Sequence, residues 1–217
     1  AGGVGNAVAL LRYLGDTLLG TRFGFEPPAG LPEVGIYHPD AGGLLDPEAW
    51  RQRFYQPDRS TAVVVFYRSH WVTGNLAPVD ALVRVLEERS LNVLAVFGPD
   101  LPAVLASGLL PRELDVMIAT TSFSAGTLAR SASEGSPRSH FGLVDLDVPV
   151  LQAIFCSSSE NVWAANVAGL SPRDIAMNVA LPEFDGRIIT TAVSFKDTFD
   201  HDRALQTEVV RYQPRAD

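Results

Sequence analysis

The sequence predicts an α/β fold: a Rossmann-like parallel sheet with helices on both faces, preceded by a helical and linker segment. Three observations carry this. The runs "TAVVVFY" (61–67) and "LNVLAVF" (91–97) are continuously apolar and rich in β-branched residues, as strands buried on both faces are. Amphipathic helical segments alternate with the strands, which implies right-handed βαβ units. The chain has 217 residues, 47% of them hydrophobic, enough for one large core.

The elements follow in order. Residues 6–19 begin with Asn6 as helix cap, and Val8, Leu11, Leu14 and Leu18 recur at helical spacing. "GFEPPAGLPE" (24–33) is proline-rich and reads as a linker. A short strand at 34–37 leads to a helix capped by Asp46, with Pro47 at its first position. The strand 61–67 precedes an amphipathic helix at 75–90 that carries Leu76, Val79, Leu82, Val83 and Leu86, with Asn75 as cap. After the strand 91–97 comes a short helix at 100–110 capped by Asp100. Strands at 114–121 and 147–155, helices near 160–168 and 172–178, and a strand at 187–195 complete the alternation. Residues 124–139, small and serine-rich, read as a mobile surface loop, and the tail holds one more strand at 207–212. The expected division is 1–33 as helix and linker, 34–195 as the α/β domain, and 196–217 as a C-terminal extension.

Composition excludes several functions. Net charge is −8, Lys196 is the only lysine, and no basic stripe exists, which argues against nucleic-acid binding through phosphate neutralisation. Cys156 is the one cysteine, so no intrachain disulfide forms, in keeping with a reducing, cytoplasmic setting. It reads as a small buried hydrophobe at a strand end. No apolar run reaches the ~18 residues of a membrane span. There is no signal-peptide pattern, and the start at Ala1 suggests a fragment or a processed chain. G-x-x-x-x-G-K-[ST], G-x-S-x-G and H-E-x-x-H are all absent.

Ligands of open parallel sheets bind at the carboxyl ends of the strands. The loops there would present "RSHWVTGN" (68–75), Asp100, Ser122 and Ser124, and "CSSSEN" (156–161), with His38 after the first short strand. "LPEFDGRI" (181–188) precedes the last core strand: Pro182 ends regular structure, Glu183 and Asp185 bracket Phe184, and Gly186 frees the backbone. Asp and Gly are also ordinary turn residues.

Three stretches in order, "GIYHPDA" (35–41), "VVVFYRSHWVTGNLAPVDALVRVLEERSLNVLAVFGPDL" (63–101), and "LDVPVLQAIF" (146–155) leading to "VALPEFDGRI" (179–188), resemble the large subunit of the cobaltochelatase and magnesium chelatase family, and look closer to the cobalt branch. Since that subunit is several times longer, the resemblance implies a fragment. It implies a tetrapyrrole-binding subunit that receives Co2+ as substrate metal and inserts it into a corrinoid, hydrogenobyrinic acid a,c-diamide. AAA+ motor and middle subunits would be partners, and the motor would use the ATP and Mg2+.

The resemblance implies Glu183 as base or metal hand-off ligand, with His38 as a second catalytic and metal-binding residue. Asp185 would orient the turn. Arg68 and His70 would meet carboxylate or acetamide groups of the corrinoid, Trp71 would stack on the ring or pack in the core, and Asn75 would join the substrate site. A carboxylate can accept a proton and ligate a divalent cation, and imidazole can do both. Two alternatives stay open: a magnesium chelatase fragment acting on protoporphyrin, and a non-catalytic ligand-binding module with a periplasmic-binding-like or flavodoxin-like fold.

Overall fold

The computed structural model describes residues 2–123, 143 and 146–215. The serine-rich segment 124–139, Ser124 and His140 lie outside the described residues.

Seven strands form one sheet: β1 (Gly35–Tyr37), β2 (Thr61–Tyr67), β3 (Asn92–Gly98), β4 (Val116–Ala119), β5 (Val150–Cys156), β6 (Ile188–Asp202) and β7 (Thr207–Pro214). Their order is β1-β3-β2-β4-β5-β6-β7. The five inner strands run parallel, and the two edge strands run antiparallel to their neighbours. Among the five, the order is that of flavodoxin-like doubly wound sheets, with the switch point between β2 and β4. The fold is α/β, as expected.

The β-branched runs form strands because both faces are covered. On β2, Val63 and Val65 join a cluster with Trp50, Leu101 and Val104, while Val64 and Phe66 join the opposite cluster with Val79, Val83 and Phe97. The helices are α1 (Val4–Leu18), α2 (Pro47–Phe54), α3 (Arg68–Thr73), α4 (Ala77–Glu88), α5 (Leu101–Leu105) and α6 (Glu160–Ala165). The last helical stretch is α7 (Pro172–Ile175), a π turn (Ala176–Ala180) and α8 (Leu181–Phe184), in unbroken succession.

The caps at Asp46 and Asp100 are as expected: each carboxylate accepts a backbone N–H, from Ala49 at 2.7 Å and from Ala103 at 2.8 Å. Asn6 and Asn75 cap no helix. Asn6 lies inside α1 and ties it to the proline-rich segment, donating to the Ala29 carbonyl at 2.9 Å and accepting from the Ala29 N–H at 2.9 Å. Asn75 sits before α4, which starts after Leu76, and residues expected as loop form α3. The expected boundary at 195/196 falls inside β6, so residues 196–214 continue the sheet as the β6–β7 hairpin.

Candidate functional site

The turn at 181–187 is a helix end. Pro182 does not stop the helix; it is buried at the start of α8. A proline has no N–H to give the carbonyl four residues back, and its ring crowds that carbonyl. The π turn just before it widens the coil by one residue and removes the conflict. The helix then ends in a Schellman cap: the Arg187 N–H bonds the Pro182 carbonyl at 3.3 Å and the Gly186 N–H bonds the Glu183 carbonyl at 2.9 Å. Gly186 has φ 79°, the left-handed conformation this cap requires.

The two carboxylates of this turn point to different surroundings. Glu183 is exposed, and its side chain makes no hydrogen bond or ion pair among the described residues. Asp185 is buried against Arg187, 3.1 Å away. Sequence reasoning missed Arg187, which is 3% exposed and is the hub of the site. Its Nη1 donates to the Thr121 carbonyl at 2.9 Å and to Gln152 Oε1 at 2.7 Å. Its Nη2 donates to the Phe123 carbonyl at 2.8 Å and to Asp185. Burial pulls the guanidinium below its ordinary pKa, opposed by the charge of Asp185.

These bonds fix the turn to the chain leaving β4, at the switch point. Further bonds do the same: the Phe123 N–H donates to the Met177 carbonyl in the π turn at 2.9 Å, and the Ser122 hydroxyl to Asn178 Oδ1 at 2.7 Å. Asp174, also buried, accepts from the Ser157 N–H at 3.1 Å and from the Ser171 hydroxyl at 2.8 Å. A cleft of about 240 Å3 opens beside the hub, lined by Tyr67, Asp100, Ser122, Phe123 and Arg187 among others. Tyr67 donates its hydroxyl to the Ser122 carbonyl at 3.0 Å, and burial raises its pKa. One signal could have found the hub. Gln152 interrupts the apolar run "VLQAIF", and a buried amide in such a strand needs a buried partner.

The other expected site residues scatter. β1 runs antiparallel, with Tyr37 opposite Ala95, so His38 lies toward the amino end of β3, and four strands separate β1 from β6, which the turn carrying Glu183 precedes. His38 is 2% exposed. Its Nε2 is 2.9 Å from Glu87 at the end of α4, its Nδ1 accepts the Asp40 N–H at 3.1 Å, and its ring stacks on Phe54 with centroids 3.7 Å apart. The structure therefore does not join His38 and Glu183 in one metal site. Among the described residues no group of three or more His, Cys, Asp or Glu is placed to hold a metal ion.

Arg68 binds the proline-rich segment, donating to the Pro32 carbonyl at 2.7 Å. Trp71 stacks on Phe97, 4.6 Å between centroids, which is its packing role in the core. His70 and Asn75 line a second cleft, beside α3, and burial lowers the His70 pKa. The Asp185 carboxylate faces Arg187, 3.1 Å away.

The sequence profile of the CobN/magnesium chelatase family matches residues 1–217. The chain belongs to this family. The aerobic cobaltochelatase subunit CobN of Sinorhizobium is 33% identical over 98% of the chain, which covers 17% of that relative. The same-named subunit of Pseudomonas aeruginosa is 34% identical over 97% of the chain, covering 16% of its length. The magnesium-chelatase H-subunit of Rhodobacter capsulatus is 29% identical over 83% of the chain and 16% of that relative. Among solved structures, the catalytic subunit of cobaltochelatase from Mycobacterium tuberculosis superimposes with a TM-score of 0.73 at 33% identity, over 99% of this chain and 17% of that one. The chain thus spans about a sixth of these CobN/magnesium chelatase family members.

Proposed function

We propose that this chain is a segment of the large, tetrapyrrole-binding subunit of an ATP-dependent aerobic cobaltochelatase, inserting Co2+ into hydrogenobyrinic acid a,c-diamide in the cytoplasm during cobalamin biosynthesis. The observation that carries the reading is the 33% and 34% identity to two CobN subunits over 98% and 97% of the chain. Relatives from magnesium chelatase align over less of it, 83% for the H-subunit of Rhodobacter capsulatus. Insertion of Mg2+ into protoporphyrin is the second reading.

In this proposal Glu183 is the reactive group of the segment. Metal insertion removes an inner N–H proton from the macrocycle and strips water from the incoming cation. An exposed carboxylate on a fixed helix end can accept a proton or hold the cation during transfer. Arg187 and Asp185 keep the helix end in place, and the cleft beside Arg187 is where part of the macrocycle would rest. His70 and Asn75 remain candidates for contact with the macrocycle's edge. AAA+ motor and middle subunits are the proposed partners, and the ATP and Mg2+ are theirs. The segment alone would not turn over.

The test uses the full-length protein containing this segment, assembled with its motor and middle subunits. Glu183→Gln is expected to abolish cobalt insertion, followed by absorbance, while leaving tetrapyrrole binding intact, followed by fluorescence quenching. Unchanged insertion by the variant would overturn the role of Glu183, and insertion of Mg2+ into protoporphyrin in place of cobalt would favour the second reading.

A further inference from the structure

Helix α1 has 15 residues, and none of them is buried. It nonetheless carries an apolar stripe. Val4, Leu11 and Leu18 recur at heptad spacing with Leu14 between them. All four are exposed, Leu11 by 68% and Leu18 by 73%. A helix of this length is marginal in water by itself, and helices in proteins are held by packing such a face on another element.

The other side of α1 is already occupied. Asn6 exchanges two hydrogen bonds with the Ala29 backbone. The Asp16 carboxylate accepts from the Thr21 hydroxyl at 2.8 Å and from the N–H groups of Phe23 at 2.8 Å and Gly24 at 2.9 Å. The Tyr13 ring packs edge-on against Phe25, 5.0 Å between centroids. At about 100° of turn per residue, Asn6, Tyr13 and Asp16 share one side of the helix, and the four apolar residues share the opposite one. The segment 21–31 is thus strapped along the first side. Arg68 of α3 fastens its end, donating to the carbonyls of Leu31 at 3.3 Å and Pro32 at 2.7 Å. The strap fixes the orientation of α1, and the apolar stripe faces solvent.

Two observations select what covers it. The 15 residues of α1 fall short of the roughly 20–30 a side that stable association of separate molecules uses. Docking within one polypeptide needs less, because the tether holds the two surfaces at high effective concentration. In the CobN relatives the matching stretch is 17% and 16% of a single polypeptide, so most of that polypeptide lies outside it. We propose that the stripe of α1 packs, over two heptads, against an apolar helix elsewhere in the same polypeptide. The inference rests on family membership and on α1 itself, and holds whether or not the metal-insertion reading does.

The test footprints the full-length protein containing this segment with hydroxyl radicals, as a monomer and without its motor and middle subunits. Mass spectrometry reads Leu11, Leu14 and Leu18. Each is expected to be modified roughly tenfold more slowly than in a synthetic peptide of residues 2–20. Leu11→Glu places a charge in the seam. It is expected to remove the protection of Leu14 and Leu18 and to speed amide exchange across α1 roughly a hundredfold, while exchange in β2 stays as it is. Arg12→Gln, beside the stripe, is expected to change neither. The wild-type footprint decides by itself if Leu11→Glu disturbs the rest of the fold. Leucines modified at the peptide's rate, protection that appears only in a dimer or only with the other subunits present, or protection that survives Leu11→Glu would each overturn the proposal.

Discussion

Arg187 and Asp185 form an ion pair of 3.1 Å with side chains only 1% and 6% exposed, two residues apart across the glycine that ends the last helix. The same guanidinium also satisfies the carbonyls of Thr121 and Phe123 and the amide oxygen of Gln152. Its loss would take the paired charge from the Asp185 carboxylate and a donor from each of the three acceptors. Arg187→Met is expected to destabilise the protein by about 3–5 kcal/mol, the usual cost of breaking a buried pair from one side. Arg187→Lys should recover less than half of that, since an ammonium cannot bridge four acceptors in one plane. Urea unfolding with an unchanged m-value is the measurement.

Gly186 tests the cap. A Cβ there meets nothing within 4 Å, so any penalty comes from the backbone alone, at φ 79°. Gly186→Ala is expected to cost about 1–2 kcal/mol, and Gly186→Asn less, because asparagine tolerates the left-handed region. Thermal melts of the two variants give the ranking.

His38 is expected to matter for folding rather than for chemistry. Both ring nitrogens are engaged and the ring is stacked on Phe54, beside an edge strand that four others separate from β6. His38→Ala should lower stability by about 2–4 kcal/mol through lost packing and stranded partners. In the assembled full-length protein the insertion rate per folded molecule should not change. A rate that falls further than the folded fraction would return His38 to the site.

Stability should depend on pH through His70. Its pKa in the folded protein lies below the ordinary value of 6.5, because burial disfavours the charged ring. Below pH 6.5 the unfolded chain binds the proton first, so folding stability is complete above that value and falls as the pH drops toward the folded pKa. Denaturant midpoints measured on the acid side of neutrality should show this loss, and His70→Gln should flatten it.

The strands β2 and β3 were legible because burial on both faces writes one unbroken β-branched run. The cap at Asp46 and Pro47 was legible because its chemistry is local. Strand direction was not: "GIY" reads alike in either sense, and only pairing with β3 makes β1 antiparallel and carries His38 toward the amino end of β3. Helix α3 was hidden because its residues lack helical periodicity. Stacking of Trp71 on Phe97 and the left-handed Gly74 at φ 70° set it instead. In the candidate site, the turn's composition pointed to Glu183 and Asp185. Nothing in the letters told an exposed glutamate from a buried aspartate, or marked an arginine at a strand start as a hub.

The π turn has one more effect. It inserts a single extra residue into the coil that leads to Glu183, and one residue of an α-helix is about 100° of rotation. The compass bearing of that carboxylate is therefore set by the number of residues between Ser171 and Gly186, independently of their identities. Shortening that stretch by one would swing Glu183 to another side of the axis while leaving its chemistry untouched.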